Sequence, residues 1–191
     1  MASRLARHNA YVYCELRDRQ YARYDRHAKD NGISMREFLV VNVLFYASDG
    51  MSQSEACART FNSRQTVSLV VKRLEARGFV SSAPNPGDRR NSIVSLTDAG
   101  RAWAHDMVRT VTRAEDEAMA RLTEREQEQL VSLSRRFTEA LVELIDDPAK
   151  LPAEDASSAK AGGARTEADE LPPGDGAFPT KCGTRQHEGD A

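Results

Sequence analysis

Residues 63–100 read SRQTVSLVVKRLEARGFVSSAPNPGDRRNSIVSLTDAG, and this stretch decides the fold. Ser63 has the chemistry of a helix N-cap. Val67, Val70, Val71 and Leu74 follow it at i, i+3, i+4 and i+7, the apolar stripe of a helix that Gly78 closes. With those four turned inward, Arg64, Gln65, Thr66, Ser68 and Lys72 are left outward, with Ser63 and Arg73 beside them. Such side chains carry the hydrogen-bonding groups that read base edges. Two short segments of strand-like content come next, residues 79–83 and 92–96, separated by the turn-rich PNPGDRRN. They predict a hairpin whose charged tip holds Arg89 and Arg90. Thr97 then caps a further helix, with Gly100 in its first turn.

Outward from this stretch the chain is helical. Ser52 with Glu55 three residues later forms a capping box that opens a short helix. Its small residues Ala56, Cys57 and Ala58 permit close approach to a neighbour. The turn from it into the next helix is Phe61-Asn62. Upstream, Ser34 and Glu37 form a second box ahead of Phe38, Val41, Leu44 and Phe45, in a helix expected to end at Asp49-Gly50. A first helix over residues 8–29, rich in Arg and Tyr, stops near Asn31-Gly32. A last helix begins at Thr123 with Glu126 in box position, and Leu130, Leu133, Phe137, Leu141 and Leu144 make an apolar seam along it. The order helix, helix, hairpin, helix is that of a winged helix-turn-helix. The expected fold is therefore mainly α with a small β-hairpin. It places a winged helix-turn-helix at 34–101 between helices at 1–31 and 102–147. No ordered element remains to cover Val131, Val142 and Ile145, so dimerisation through the seam and the first and fifth helices is expected.

Composition bounds the function. The 191 residues hold 27 Lys+Arg against 29 Asp+Glu, so any nucleic-acid binding must rest on a local patch. Such a patch is available: residues 59–101 carry eight Lys/Arg against three Asp/Glu, whereas 102–147 carry six against eleven. Residues 148–191 include five Pro, six Gly and an excess of acidic groups. Leu151, Leu171 and Phe178 are their only large apolar residues, so a disordered acidic tail is expected there. No run approaches the ~18 apolar residues that span a bilayer, and the N-terminal stretch lacks a signal-type apolar core. Cys14, Cys57 and Cys182 are too few and scattered for a disulfide framework, which fits a cytoplasmic protein. His8, His27, His105 and His187 show no metal-ligand spacing, and no metal or cofactor is expected.

The combination Leu74-Glu75-x-x-Gly78, then Asp88-x-Arg90, then Leu96-Thr97-x-x-Gly100 resembles the DNA-binding core of the MarR family of bacterial transcription regulators. The resemblance is strongest over residues 52–101 and extends by helix order to about residue 146. It implies a homodimer that binds double-stranded DNA at an inverted repeat. The helix from Ser63 would lie in the major groove, Arg90 would enter the adjacent minor groove, and Asp88 would orient the wing. Arg90 as a phosphate contact and Asp88 as a turn cap are the alternatives, and Arg89 suits a phosphate. A family member of this kind most often acts as a repressor, relieved when a small-molecule effector binds between the dimerisation helices and the winged domain. The sequence departs from the family pattern at Ser82-Ala83, where many members have an Arg, at Gly87, commonly acidic, and at the Phe61-Asn62 turn, which commonly contains Gly.

Three other readings stand beside this one. Some family members sense peroxide through a first-helix Cys held by Tyr hydroxyls. Cys14 has the position for a redox-sensing regulator, but Asp18 and Ala28 occupy the Tyr sites, and a packed small hydrophobe is the plainer role. Trp103 suits either a ligand pocket or the core. A winged helix that has lost DNA binding could serve as a protein-interaction module, which would expose a broad apolar patch in place of the basic face. No nucleophile–base–acid constellation suggests an enzyme.

Overall fold

The computed structural model describes residues 3–85 and 88–152, those at 88–91 by their backbone alone. The chain divides into a unit of residues 2–146 and a second from Asp147 onward. In the second, a short 3-10 turn, Pro148–Lys150, is the regular structure found among the described residues. The expected tail beyond residue 152, with Cys182 and His187, lies outside them.

The first unit runs α1 (Arg4–Asp30), α2 (Met35–Phe45), β1 (Met51–Ser52), α3 (Gln53–Thr60), α4 (Arg64–Ala76), β2 (Val80–Asn85), β3 (Asp88–Leu96), α5 (Asp98–Met119) and α6 (Glu124–Asp146). Its helix starts follow local chemistry. Ser34 Oγ accepts the Glu37 N–H at 3.3 Å while Glu37 accepts the Ser34 N–H at 2.8 Å, and Ser52 with Glu55 and Thr123 with Glu126 repeat the exchange. Ser63 and Thr97 cap α4 and α5 by accepting from Thr66 and Gly100.

α2 is the hub, touching α1, α3, α4, α5 and β3. Its Val40, Val41 and Leu44 are fully buried among Val67 and Leu74 of α4, Val94 of β3, and Ala104 and Val108 of α5. Burying each Val or Leu contributes roughly 1.5–3 kcal/mol before entropy, so this cluster holds α2, α4, α5 and β3 together.

α2 ends four residues earlier than its sequence pattern suggested. Arg101 of α5 donates to the Phe45 carbonyl at 3.0 Å, satisfying the helix end from outside. The chain beyond it turns through Gly50 into β1, a strand that no sequence signal announced. β1 pairs antiparallel with β3 at Met51↔Val94, giving the sheet order β1-β3-β2. At Gly50, φ is +73° and a Cβ would lie 2.5 Å from the Val94 carbonyl oxygen, so only glycine suits this approach.

The hairpin is longer than expected, its strands reaching Asn85 and Asp88 with a register irregularity at Pro84/Asn85. Much of the segment read as turn therefore belongs to the ladder, because Pro84 on an edge strand does not interrupt pairing. At the base of the wing, Gly100 faces Phe79 so closely that a Cβ would stand 1.8 Å from its carbonyl oxygen. Thr97 completes the join by donating its hydroxyl proton to the Gly78 carbonyl at 2.7 Å.

Candidate nucleic-acid interface

α3 and α4 form the helix-turn-helix. The turn between them is made by Phe61 at φ 53°, ψ 27°, followed by Asn62 and the N-cap Ser63. Phe61 thus holds the left-handed geometry where glycine is the usual residue. Ala56 and Thr60 anchor α3 in the core, and Thr60 bonds its own helix through the Ala56 carbonyl at 2.6 Å.

The apolar stripe of α4 is buried as its spacing predicts, with Val67 and Leu74 at 0 % exposure and Val70 and Val71 at 3 % or less. Arg64, Gln65, Lys72 and Arg73 are exposed. Thr66 and Ser68 are half-buried, and Thr66 is engaged with the cap through a 2.9 Å contact between the Ser63 and Thr66 hydroxyls. These two flank the outer face more than they form it. The residue at its centre is Leu69, 51 % exposed, one turn from Gln65 and one from Lys72. Helical spacing places it there, opposite Val67, Val70, Val71 and Leu74.

Asp88, Arg89 and Arg90 stand at the start of β3, and Asp88 pairs with Asn85. Their side chains lie outside the described residues, and so do the roles expected of them. Ser82, at a departure from the family pattern, donates to the Glu75 carboxylate, tying the first wing strand to α4. Trp103 stacks on Phe79 at 4.3 Å and 3° with the Arg77 guanidinium 5.2 Å from its ring, a packed join between wing and α5.

This arrangement matches known proteins. Residues 31–91 match the sequence profile of the MarR family. Over these residues the winged helix is similar to the MarR family. The chain is 33% identical over 89 residues to the HTH-type transcriptional repressor NicR of Pseudomonas putida, an alignment covering 47% of this chain and 56% of NicR. It spans about half the length of the curated relatives it matches. Among solved structures, the PcaV transcriptional regulator of Streptomyces coelicolor, in complex with its natural ligand, superposes with a TM-score of 0.57 at 27% identity over 74% of this chain and 99% of PcaV. S. aureus MepR in a DNA-binding conformation has a TM-score of 0.62 over 70% of this chain and 98% of MepR, and at 18% identity it bears on the fold alone.

Around the helix-turn-helix and its wing, α1, α5 and α6 carry the remaining expected residues. No residue of α6 is buried. Phe137, Leu141 and Leu144 of its seam are half-covered, and Phe137 meets Tyr13 of α1 edge-on at 4.7 Å. Leu130 and Leu133 are exposed, as are Val131, Val142 and Ile145. Cys14 is half-buried on α1 and is a free thiol.

A cleft of about 740 Å³ opens between these helices, lined by Leu16, Arg23, Tyr24 and His27 of α1, Met119 of α5 and Leu130 of α6. Tyr24 donates to Glu115 at 2.8 Å across it, and burial followed by that carboxylate pushes the phenol up to about 12. Trp103 does not line it. No group of three or more His, Cys, Asp or Glu could hold a metal among the described residues, and none of their helices is long and apolar enough to cross a membrane.

Proposed function

We propose that this chain is a transcriptional regulator of the MarR type and not an enzyme: a homodimer over residues 1–147 that binds double-stranded DNA at an inverted repeat. α4 enters the major groove and Arg90 the adjacent minor groove, with Asp88 orienting the wing and Arg89 on phosphate. One observation carries the reading. The polar and cationic face of α4, with Arg64, Gln65, Lys72 and Arg73 exposed, is backed by a fully buried stripe, so it is rigid and turned to solvent on a winged helix. A rigid helix face of this width suits a major groove, where a flexible one would lose entropy on binding.

The exposed Leu130, Leu133, Val131, Val142 and Ile145 of α6 support the dimer, because this part of its apolar surface stays in water unless a second copy covers it. The cleft between α1, α5 and α6 suits a small-molecule effector. Its occupation would change the angle between these helices and the winged domain and so relieve repression.

Fluorescence anisotropy of the full chain on its own upstream DNA and on a scrambled duplex, at low and near-physiological salt, tests the reading. A preference for the upstream duplex that survives added salt supports a sequence-specific regulator. Equal and wholly salt-labile binding to both, or none to either, would overturn specific recognition at that site and favour the protein-docking alternative.

A further inference from the structure

The face of α4 turned away from the core is not wholly polar. At 100° per residue, Gln65, Leu69, Lys72 and Ala76 run along the line opposite Val67, Val70, Val71 and Leu74, and Leu69 sits mid-line. Two residues ahead of the N-cap, Phe61 is 96 % exposed. It is also the one non-glycine residue with positive φ among the described residues.

A single exposed apolar residue is ordinary. These two differ because they stand at the front and the centre of the same reading element. Phe61, moreover, holds a strained backbone while burying almost nothing, so the fold gains nothing from the aromatic ring there. Strain retained without a folding benefit points to a role in function. Exposed Arg59 and Arg64 stand within three residues of Phe61, and exposed Lys72 and Arg73 within about one helical turn of Leu69, which makes a polyanion the fitting partner. Within a major groove, the one apolar group that distinguishes a base pair is the 5-methyl of thymine.

We propose that Phe61 and Leu69 make the apolar base contacts of this protein, packing on thymine 5-methyl groups, while Gln65 and the cations supply the polar and phosphate contacts. The assignment rests on the DNA-binding reading above. It predicts a target with thymines at fixed positions in each half-site, recognised through the methyl group itself and not through base pairing or groove width.

The test selects duplexes from a random-sequence library with the full chain, then replaces each thymine of the best duplex by deoxyuridine, one at a time. Affinities are compared for wild type, Leu69→Ala and Phe61→Gly. At one or two positions per half-site, loss of the methyl should weaken wild-type binding about four-fold, the worth of one buried methyl group. That penalty should vanish in one of the two variants. Phe61→Gly should melt no lower than wild type, which separates lost contact from lost fold. A wild type indifferent to every replacement, or a penalty that persists in both variants, overturns the assignment while leaving DNA recognition intact. Enrichment of no duplex at all would overturn the DNA-binding reading, and this assignment with it.

Discussion

At the scale of single residues, two backbone positions make opposite demands. Phe61 sits where a Cβ is disfavoured by roughly 1–2 kcal/mol, and its ring is almost fully in water. Phe61→Gly relieves that strain, partly offset by the greater freedom glycine gives the unfolded chain. A net stabilisation of about 0.5–1 kcal/mol is expected, seen as a rise of a few degrees in Tm. Gly100 is the reverse case, because its missing side chain is what lets α5 close onto Phe79. Gly100→Ala should destabilise by about 3 kcal/mol, the upper range of overpacking effects, and urea titration would register it as a lower midpoint. An unchanged midpoint would mean that the wing base moves freely.

At the scale of elements, the helix boundaries with their own caps were legible and those set by neighbours were not. Ser34, Ser52, Ser63, Thr97 and Thr123 act where their sequence context says, because a cap is a contact three residues long. The end of α2 depends on Arg101, more than fifty residues away, and β1 exists only because β3 is there to pair with it. Ser63→Ala should destabilise by about 1 kcal/mol in thermal melts, and more at the front of α4 than elsewhere in hydrogen exchange. The boxes also predict a pH dependence. The Ser52 N–H, then its hydroxyl, holds the Glu55 carboxyl below its ordinary value, so the unfolded state binds the proton more readily. This contribution is present above the ordinary carboxylate range and is lost as pH falls through the lowered value. The stability difference between wild type and Glu55→Gln, measured in urea, should therefore shrink from about pH 7 to about pH 3.

At the scale of the whole molecule, burial is uneven. α2, α4 and α5 share one core, while α6 contributes nothing fully buried to it. A dimer that covers α6 would account for Val142 and Ile145, 50 % and 66 % exposed. Val142→Asp combined with Ile145→Asp should move sedimentation equilibrium from dimer toward monomer, with DNA affinity falling alongside, since a charge at an apolar interface loses hydration without a partner. Retained dimers would show that the interface lies elsewhere.

The sequence by itself determined the helices, their caps, the inward stripe of α4 and the family resemblance, since each rests on spacing within a few residues or one turn. Gln65 and Lys72 were legible for that reason. Tertiary structure decided what depends on chain segments meeting: the early end of α2, the strand β1, the stacking of Trp103 against Phe79, and the cleft that Tyr24 and Glu115 bridge. It also decided how open each outward residue is, leaving Thr66 and Ser68 half-buried and Leu69 exposed at the centre. The physical reason is range. Hydrogen bonds within a turn and hydrophobic periodicity are written locally, whereas burial, pairing and exposure are set by whichever distant surface arrives.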